Sequence, residues 1–496
     1  MIQRVIRAGL ARLCVRPAML KSHRFVIFCF TARGFSMSDE LIQEKARALY
    51  AQLTGKISLP CTLHVSGAGN LPSYYPVTPL IAASVALAGI AVSQLVALRN
   101  GKHDAVTVDR RLASLWCKTS IRPDGWEIPP AWDSLAGDYA TADGWIRLHT
   151  NAPAHRKVVE TLLGKAENRE ALALRVVMWK KAALEHAVVR AGGCAAQMLS
   201  PEEWQQHVQG KSLIAEPLFQ HALSVKVAPP HWELSPQQPL AGVKVLDLTR
   251  IIAGPVATRF LAGLGADVLR IDPFGWDEPS QEADVTLGKH CARLNLHNPQ
   301  DRHRFEELLR DADVIVHGYR AGALHKLGYG SEQRRAIAPG LVDVCLNAYG
   351  WSGPWRERRG FDSLVQMSCG IAEQGMQRSG RHKPVPLPVQ ALDHTTGYLM
   401  AAAVLQGLTQ RMETGQGSEC RLSLARTARE LMENGTSAES GEPLIESADP
   451  ADFWPEQERT VWGNARRLLP PVRLENTTLH WRFPASPLGS APAIWR

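Results

Sequence analysis

The stretch LAGVKVLDLTRIIAGP, residues 240–255, decides the fold class. It contains a short β-branched run at residues 243–248 and a turn at residues 251–255, and a helical pattern follows to residue 264. An apolar strand that passes through a turn directly into a helix is the repeating unit of sheets that are covered by helices.

The same unit recurs along the chain after this stretch. Residues 265–272, 312–317 and 341–346 are further apolar strands. One helical pattern covers residues 298–309, and a further one, after the strand at 312–317, reaches residue 338. The alternation predicts an α/β fold with a Rossmann-like, mostly parallel sheet. Ligands of such sheets bind beyond the carboxyl ends of the strands, which puts the loops 251–255 and 317–322 at the predicted site.

An internal repeat relates two apolar helical segments. At an offset of 312 residues, residues 77–99 match residues 389–411 at seven identical positions, and Ile81 stands where the second copy has Asp393. The repeat predicts a duplication, with a remnant of a first large domain at 37–136. A turn, a strand and helical segments predict a small α+β domain at 137–230. A Pro-rich linker at 231–239 and a second large domain at 240–496 complete the predicted organisation.

The first 36 residues are basic and the rest of the chain is nearly neutral. Seven cations and no acid in residues 1–37 account for all but one of the net charge of +8, so no nucleic-acid groove is predicted. The segment 1–36 is either a targeting leader or translated sequence upstream of a true start at Met37.

Two further features bear on the location of the protein. The nine cysteines are scattered without a C-x-x-C pair, which predicts reduced thiols, a cytoplasmic location and no metal site. Residues 80–98 carry no charge but are rich in Ala and Ser, and we expect a buried helix rather than a membrane span.

A series of segments, in order, resembles CoA-transferase family III (CaiB/BaiF), the group of formyl-CoA and carnitine CoA-transferases. The series starts with residues 240–255 and covers the chain to about residue 428. The later segments are residues 264–273 (LGADVLRIDP), 288–289 (GK), 311–324 (DADVIVHGYRAGAL), 349–354 (YGWSGP), 359–362 (RGFD) and 392–393 (LD). The resemblance implies a CoA-binding large domain.

The resemblance also implies an activity, in which Asp393 is the nucleophile of an acyl-CoA:carboxylate CoA-transferase. Its carboxylate would form first a mixed anhydride and then an aspartyl-CoA thioester. A nearby glycine, such as Gly370 or Gly397, would supply backbone N–H groups to the oxyanion. Asp393 would also serve as a helix N-cap. The substrates would be an acyl-CoA and a free carboxylic acid, with no permanently bound cofactor.

Other positions are implied as CoA contacts by the same resemblance. They surround the adenine, pantetheine and phosphate groups, and they are Ile251, Ala253, Lys289, Leu294, Tyr319, Ala323, Lys326 and Arg359. Family members form interlocked dimers, so this chain is either a homodimer or a monomer in which the duplication reproduces that arrangement.

Two other functions fit parts of the sequence. An α-methylacyl-CoA racemase needs an acid–base pair, and its family members carry a His where this chain has Phe361, so that His394 would have to replace it. A duplicated chain could also bind acyl-CoA without catalysis.

Overall fold

The computed structural model describes residues 37–230, 232, 234–433, 435 and 442–496. The leader predicted at residues 1–36 lies outside the described residues, as do His231 and Glu233 of the predicted linker. Residues 37–496 form one compact unit.

The first part of the chain contributes three helices and three strands to this unit. In chain order they are α1 (Met37–Thr54), β1 (Leu63–Ser66), α2 (Val77–Asn100), β2 (Val106–Asp109), α3 (Arg110–Leu115) and β3 (Ile121–Pro123). By length and composition α2 could cross a membrane, but 94% of its apolar window is buried inside the protein. It is therefore the buried helix that the sequence predicts.

The middle part builds a small three-stranded antiparallel sheet covered by helices. Its elements are β4 (Gly137–Thr141), β5 (Gly144–Leu148), α4 (Pro153–Leu163), α5 (Arg169–Val176), α6 (Lys181–Arg190) and β6 (Ala195–Gln197). They enclose a separate apolar core around Tyr139, Ile146 and Leu172. The short helices α7 (Pro201–Gln206) and α8 (Val208–Ser212) and the strand β7 (Gln220–Lys226) follow.

The strands and helices predicted after residue 240 are present. The elements are β8 (Lys244–Leu248), α9 (Ala253–Gly263), β9 (Asp267–Asp272), α10 (Glu282–Val285), β10 (His290–Arg293), α11 (Pro299–Asp311), β11 (Val314–His317), α12 (Ala323–Lys326), α13 (Ser331–Ile337), β12 (Val342–Asn347), α14 (Asp362–Ser368), α15 (Ile371–Ser379), α16 (Ala391–Thr414), β13 (Gln416–Ser423) and α17 (Leu424–Glu433). A short 3₁₀ helix (Pro450–Asp452) and the strands β14 (Glu458–Thr460), β15 (Gly463–Arg467) and β16 (Val472–Leu474) complete the chain.

Seven strands form the main sheet in the order β10-β9-β8-β11-β12-β13-β7, and every pairing is parallel except β13 with β7. The predicted α/β class is confirmed. The strand order reverses between β8 and β11, which is where doubly wound sheets open a ligand-binding crevice.

The repeat is visible in the geometry of α2 and α16. Both helices have 24 residues, both follow a residue with φ −74° and ψ near 64°, and both end on a left-handed glycine, Gly101 and Gly415. The two starts and the two ends are each 314 positions apart (391 − 77 and 415 − 101), not 312. Pro79 therefore stands in register with Asp393, and the first copy offers no carboxylate at this position under either alignment.

Each copy receives an antiparallel strand from the chain that follows the other copy. β1 and β2 pair in parallel, and β16 from the C-terminal part joins β2. β12 and β13 pair in the same way, and β7, which lies within the range predicted for the small domain, joins β13. The two halves thus exchange strands reciprocally within one chain, while α2 packs along α16.

We expect the protein to be a monomer in solution, because this exchange already joins the two halves. Light scattering during size-exclusion chromatography measures the mass directly. We predict one chain, 54.5 kDa for the full sequence, at every loading concentration. A dimer that persists on dilution would contradict this expectation.

Candidate active site

A cavity of about 380 Å³ opens at the carboxyl ends of β8, β11 and β12. Its walls come from the loops after these strands, from the start of α16 and from α4 of the small sheet. The lining residues are His155, Leu248, Arg250, Ile251, Ala253, Gly254, Trp276, Gly318, Tyr319, Arg320, Ala323, Leu346, Asn347, Ala348, Arg358, Arg359, Gly360, Phe361, Asp393 and Leu424. The predicted site residues Ile251, Ala253, Tyr319, Ala323, Arg359 and Asp393 are therefore brought together.

Asp393 lies in the first turn of α16, with 8% of its surface exposed, and lines the cavity. Asp362, which is fully buried at the start of α14, lies beneath it. The Oδ2 atom of Asp362 accepts a hydrogen bond of 2.9 Å from the backbone N–H of Asp393, and its Oδ1 atom accepts one from Gln366. The side chain of Asp362 therefore caps α16 from another helix, and Asp393 is not its own helix's N-cap.

The two carboxyl groups influence each other's ionisation. Burial, and then the negative charge of Asp362, raise the pKa of Asp393 well above that of an ordinary aspartate. Burial also raises the pKa of Asp362, to about 6, while its hydrogen bonds oppose the change. The cavity thus holds a carboxylate that is more basic and less hydrated than one in water, which is what a carboxylate nucleophile or base requires.

Ile251 has a strained backbone at the edge of the cavity. Its φ of +64° is in the left-handed region, where a β-branched residue is a genuine outlier. Its N–H donates to Oε1 of the buried Glu278 at 2.9 Å, and Glu278 also accepts hydrogen bonds from Arg270 and Trp276. Strain of this kind costs roughly 1–3 kcal/mol and concentrates at functional sites.

Positive charge lines the mouth of the cavity. The Arg250 guanidinium lies 4.7 Å from the ring centre of Trp276 and 5.2 Å from that of Tyr319. Among the described residues, no carboxylate lies within 4 Å of the side chains of Arg250, Arg320 or Arg359. Unpaired guanidinium groups at the ends of strands can bind phosphate groups.

Arg358 has a different role from these three arginines. Its Nη2 atom is 2.7 Å from Oε1 of Glu185, and its guanidinium stacks 3.8 Å above the Trp355 ring. The ion pair neutralises its charge and ties the loop after β12 to α6 of the small sheet.

Three predicted contact residues do not line the cavity. Lys289 is fully buried, where its Nζ atom lies 3.0 Å from Oδ2 of Asp247 and donates to Thr258 and to the Pro255 carbonyl. Leu294 is buried in the apolar core beside β9 and β10. Lys326 is exposed at the end of α12, one turn after Ala323. The implied CoA contacts of these residues stay predictions.

The glycines considered for the oxyanion also lie elsewhere. A Cβ atom on Gly370 would be 2.3 Å from the backbone of Pro201, and one on Gly397 would be 2.5 Å from the Ala253 carbonyl oxygen. Both glycines serve close packing, while Gly254 and Gly360 are among the cavity residues. His394 is buried but does not line the cavity, and the charged groups that influence its ring are Arg259 and Asp284.

Several cavity residues were missed by the sequence analysis. Arg250 directly precedes the first of the two loops that the fold class places at the site, and Arg320 lies in the second, so their charge was a usable signal. Trp276 follows the predicted second strand. His155 comes from the small sheet, and nothing in its local sequence indicates that it reaches the loops of the large sheet.

We predict that Lys289→Ala lowers the free energy of unfolding by about 3–5 kcal/mol, because it leaves Asp247 charged and unpaired in the core. Burial opposes the ionisation of Asp247, but Lys289, Arg270 and the hydrogen bonds from Thr249 and Thr258 together outweigh it, and the pKa of Asp247 is lowered. Urea denaturation measures the loss.

The matched control is the double variant Asp247→Asn/Lys289→Met, which removes both charges and should recover most of the stability. If Lys289→Ala were as stable as the parent and only weakened acyl-CoA binding, Lys289 would be a ligand contact instead.

The chain is similar in sequence to known CoA-transferases and acyl-CoA transferases. CoA-transferase family III matches residues 240–460. An acyl-CoA transferase of Gibberella moniliformis is 30% identical over 385 residues, covering 68% of this chain and 67% of the relative. Acetyl-coenzyme A transferase nodX of Hypoxylon pulicicidum is 39% identical over 191 residues, which are 38% of this chain and 32% of the relative. The human succinyl-CoA:glutarate CoA-transferase is 31% identical over 40% of this chain and 48% of its own length.

These matches span from about one third to two thirds of the relatives' own lengths. Among solved structures, a CaiB/BaiF family protein from Brucella suis has 25% identity and a TM-score of 0.36, covering 46% of this chain and 65% of that protein. The chain belongs to CoA-transferase family III.

Proposed function

We propose that the protein transfers CoA from an acyl-CoA to a free carboxylic acid, with Asp393 as the covalent carrier. The observation that carries the proposal is the buried Asp393 carboxylate, held at the N-terminus of α16 inside a cavity lined by unpaired arginines. Relatives named acyl-CoA transferase and succinyl-CoA:glutarate CoA-transferase support the reaction class.

The reaction proceeds through two kinds of intermediate. An oxygen of Asp393 attacks the thioester carbonyl, the C–S bond breaks, and the CoA thiolate leaves a mixed anhydride behind. The thiolate then attacks the Asp393 carbonyl carbon, which releases the first acid and forms an aspartyl-CoA thioester. The acceptor carboxylate reverses these steps, so that CoA leaves on the acceptor and Asp393 returns to its free form.

The surroundings of Asp393 favour its attack. Burial strips water from the carboxylate, and the charge of Asp362 raises its basicity further. Arg250, Arg320 and Arg359 would hold the phosphates of CoA. Ile251, Ala253, Tyr319 and Ala323 would lie along the rest of the CoA molecule, and no permanently bound cofactor is needed for these steps.

A racemase is the second candidate, because His155 lines the cavity with its Nδ1 atom unpartnered among the described residues. Burial lowers the pKa of His155 to about 4, so that its ring is neutral and able to accept a proton. At the position where racemases carry a His, Phe361 stacks on His149 with ring centres 3.9 Å apart. Phe361 cannot give or take a proton, so the acid–base group that a racemase has at this position is missing.

We predict that Asp393→Ala lowers the rate of CoA exchange by roughly a thousandfold or more, because the covalent carrier is removed. Exchange is measured with acetyl-CoA and succinyl-CoA against a panel of free mono- and dicarboxylic acids. Glu413→Ala, at the exposed end of the same helix, is the matched control.

A variant Asp393→Ala that exchanges CoA as fast as the parent would contradict the proposal. The racemase alternative is tested in the same preparations by incorporation of deuterium from D₂O at the α-carbon of an acyl-CoA. Deuterium incorporation without any CoA exchange would establish the second candidate in place of the first.

We predict that Asp362→Asn moves the acidic limb of the rate profile to lower pH. Asp393 must be ionised to attack, so activity falls as the pH drops through its raised pKa. Removal of the neighbouring charge lowers that pKa, whereas the Asn oxygen can still accept the hydrogen bond from the Asp393 N–H. The measurement is kcat/KM against pH, with Glu413→Gln as control. A limb that stays in place or moves to higher pH would show that the two groups are not coupled.

A further inference from the structure

A second cluster of reactive side chains lies near the carboxyl ends of two central strands, apart from Asp393. It consists of His317, the last residue of β11, and of Asp343 and Cys345 in β12. His317 and Cys345 are direct neighbours in the parallel pairing, and Asp343 projects from the same face of the sheet as Cys345. One nitrogen, one oxygen and one sulfur atom of the three side chains all lie within 4.8 Å of one another.

Three polar atoms of this cluster lack hydrogen-bond partners within the described residues. They are the two ring nitrogens of His317 and the Oδ1 atom of Asp343, none of which makes a hydrogen bond within the described part of the chain. Both residues are buried, with 6% of His317 and 1% of Asp343 exposed. The Nε2 atom of His317 is 3.5 Å from Oδ1 of Asp343, which is too far for a good hydrogen bond. Each buried polar atom without a partner calls for an explanation, and a bound ion is one that accounts for all three of these atoms together.

The charged groups around the cluster are paired with each other and leave one carboxylate oxygen to bind a cation. The other oxygen of Asp343, Oδ2, accepts a hydrogen bond of 2.8 Å from Nε of Arg334. Glu419, on the neighbouring strand, is engaged by Arg335 and Arg421. The Oδ1 atom of Asp343 is therefore a free carboxylate oxygen, and its partner oxygen is already fixed, as is common for carboxylates that bind metals.

The ionisation states fit the same interpretation. Burial, and then Arg334, lower the pKa of His317, so its ring is neutral and has a lone pair to donate. Burial is the largest influence on Asp343 and opposes its ionisation, but Arg334 and His317 together outweigh it and lower the pKa of this carboxyl. Burial, and then Asp343, raise the pKa of Cys345, so its thiol keeps its proton unless a metal displaces it.

We propose that His317, Asp343 and Cys345 bind a divalent metal ion, with zinc as the best fit. Imidazole nitrogen, carboxylate oxygen and thiolate sulfur are the donors that zinc takes in proteins. The metal accepts the lone pair of one imidazole nitrogen, the Oδ1 atom of Asp343 and the sulfur of Cys345, and the thiol proton passes to solvent. This site goes beyond the proposed function, because CoA exchange at Asp393 does not require it.

The metal would restrict the two loops that follow β11 and β12. His317 directly precedes Gly318 and Tyr319, and Cys345 directly precedes Leu346 and Asn347, all of which line the cavity. A metal that ties the ends of β11 and β12 together fixes both loops relative to each other. The sequence gives no sign of this site, since its residues have no motif spacing and meet only through the pairing of two strands.

The experiment uses the full chain without a purification tag. The protein is stripped with a chelator, loaded with Zn²⁺ or Co²⁺, desalted and analysed by mass spectrometry for metal content. We expect one ion per chain and, with Co²⁺, a sulfur-to-cobalt charge-transfer absorption. Both should be lost in His317→Ala and Cys345→Ser and kept in Cys291→Ser, which changes a buried cysteine elsewhere in the same sheet.

A parent chain that retains no metal, or a Cys345→Ser variant that retains as much as the parent, would overturn the proposal. If a variant did not fold, the cobalt spectrum of the parent would decide, because bound cobalt without the sulfur band excludes Cys345 as a ligand. All of these measurements are made without substrate, so their failure is distinct from a failure of the proposed transferase activity.

Discussion

The hydrogen bond from the Asp393 backbone to the Asp362 carboxylate is the contact on which the site depends. It caps the start of α16, fixes the position of the cavity carboxylate and brings a second negative charge beside it. A helix start that is buried without such a partner would leave orphan N–H groups. The same contact therefore fixes the start of the helix and places the charge that raises the pKa of Asp393. A carboxylate nucleophile needs both a fixed position and a raised pKa.

The duplicated architecture explains why the two copies, within the described residues, form one such site and not two. The first copy keeps α2, β1 and β2 but has Pro79 in register with Asp393, so it can serve as a packing surface and not as a second centre. The chain between the copies supplies α4, whose His155 reaches the cavity. The site of the second copy is thus completed by a segment that follows the first one.

The fold could be predicted from residues 240–346 because strands buried on both faces leave continuous apolar runs in the sequence. The position of Asp393 in the cavity also agrees with the sequence prediction. Lys289 shows the limit of that approach, since a lysine in a loop signature is compatible with a phosphate contact or with a buried ion pair. Only the position of Asp247 on β8, two strands away from β10 in the sheet, distinguishes the two.

Contacts between distant segments account for the other features that sequence reasoning missed. The offset of the repeat was wrong by two residues because apolar helices match in several alignments, whereas the caps of α2 and α16 fix one. Arg358, in the loop after β12, forms an ion pair with Glu185 in α6 of the small domain. His317 lies close to Asp343 only because β11 and β12 are neighbouring strands. None of these pairs has a periodic or local signature.

The central claim is that Asp393 carries the substrate covalently. The most direct measurement is peptide mass spectrometry after incubation with an acyl-CoA and hydroxylamine, which converts an activated carboxyl group into a hydroxamate. We predict a hydroxamate at residue 393 that requires the acyl-CoA. Continued CoA exchange with residue 393 unmodified, or a hydroxamate at a different carboxyl group, would contradict the account.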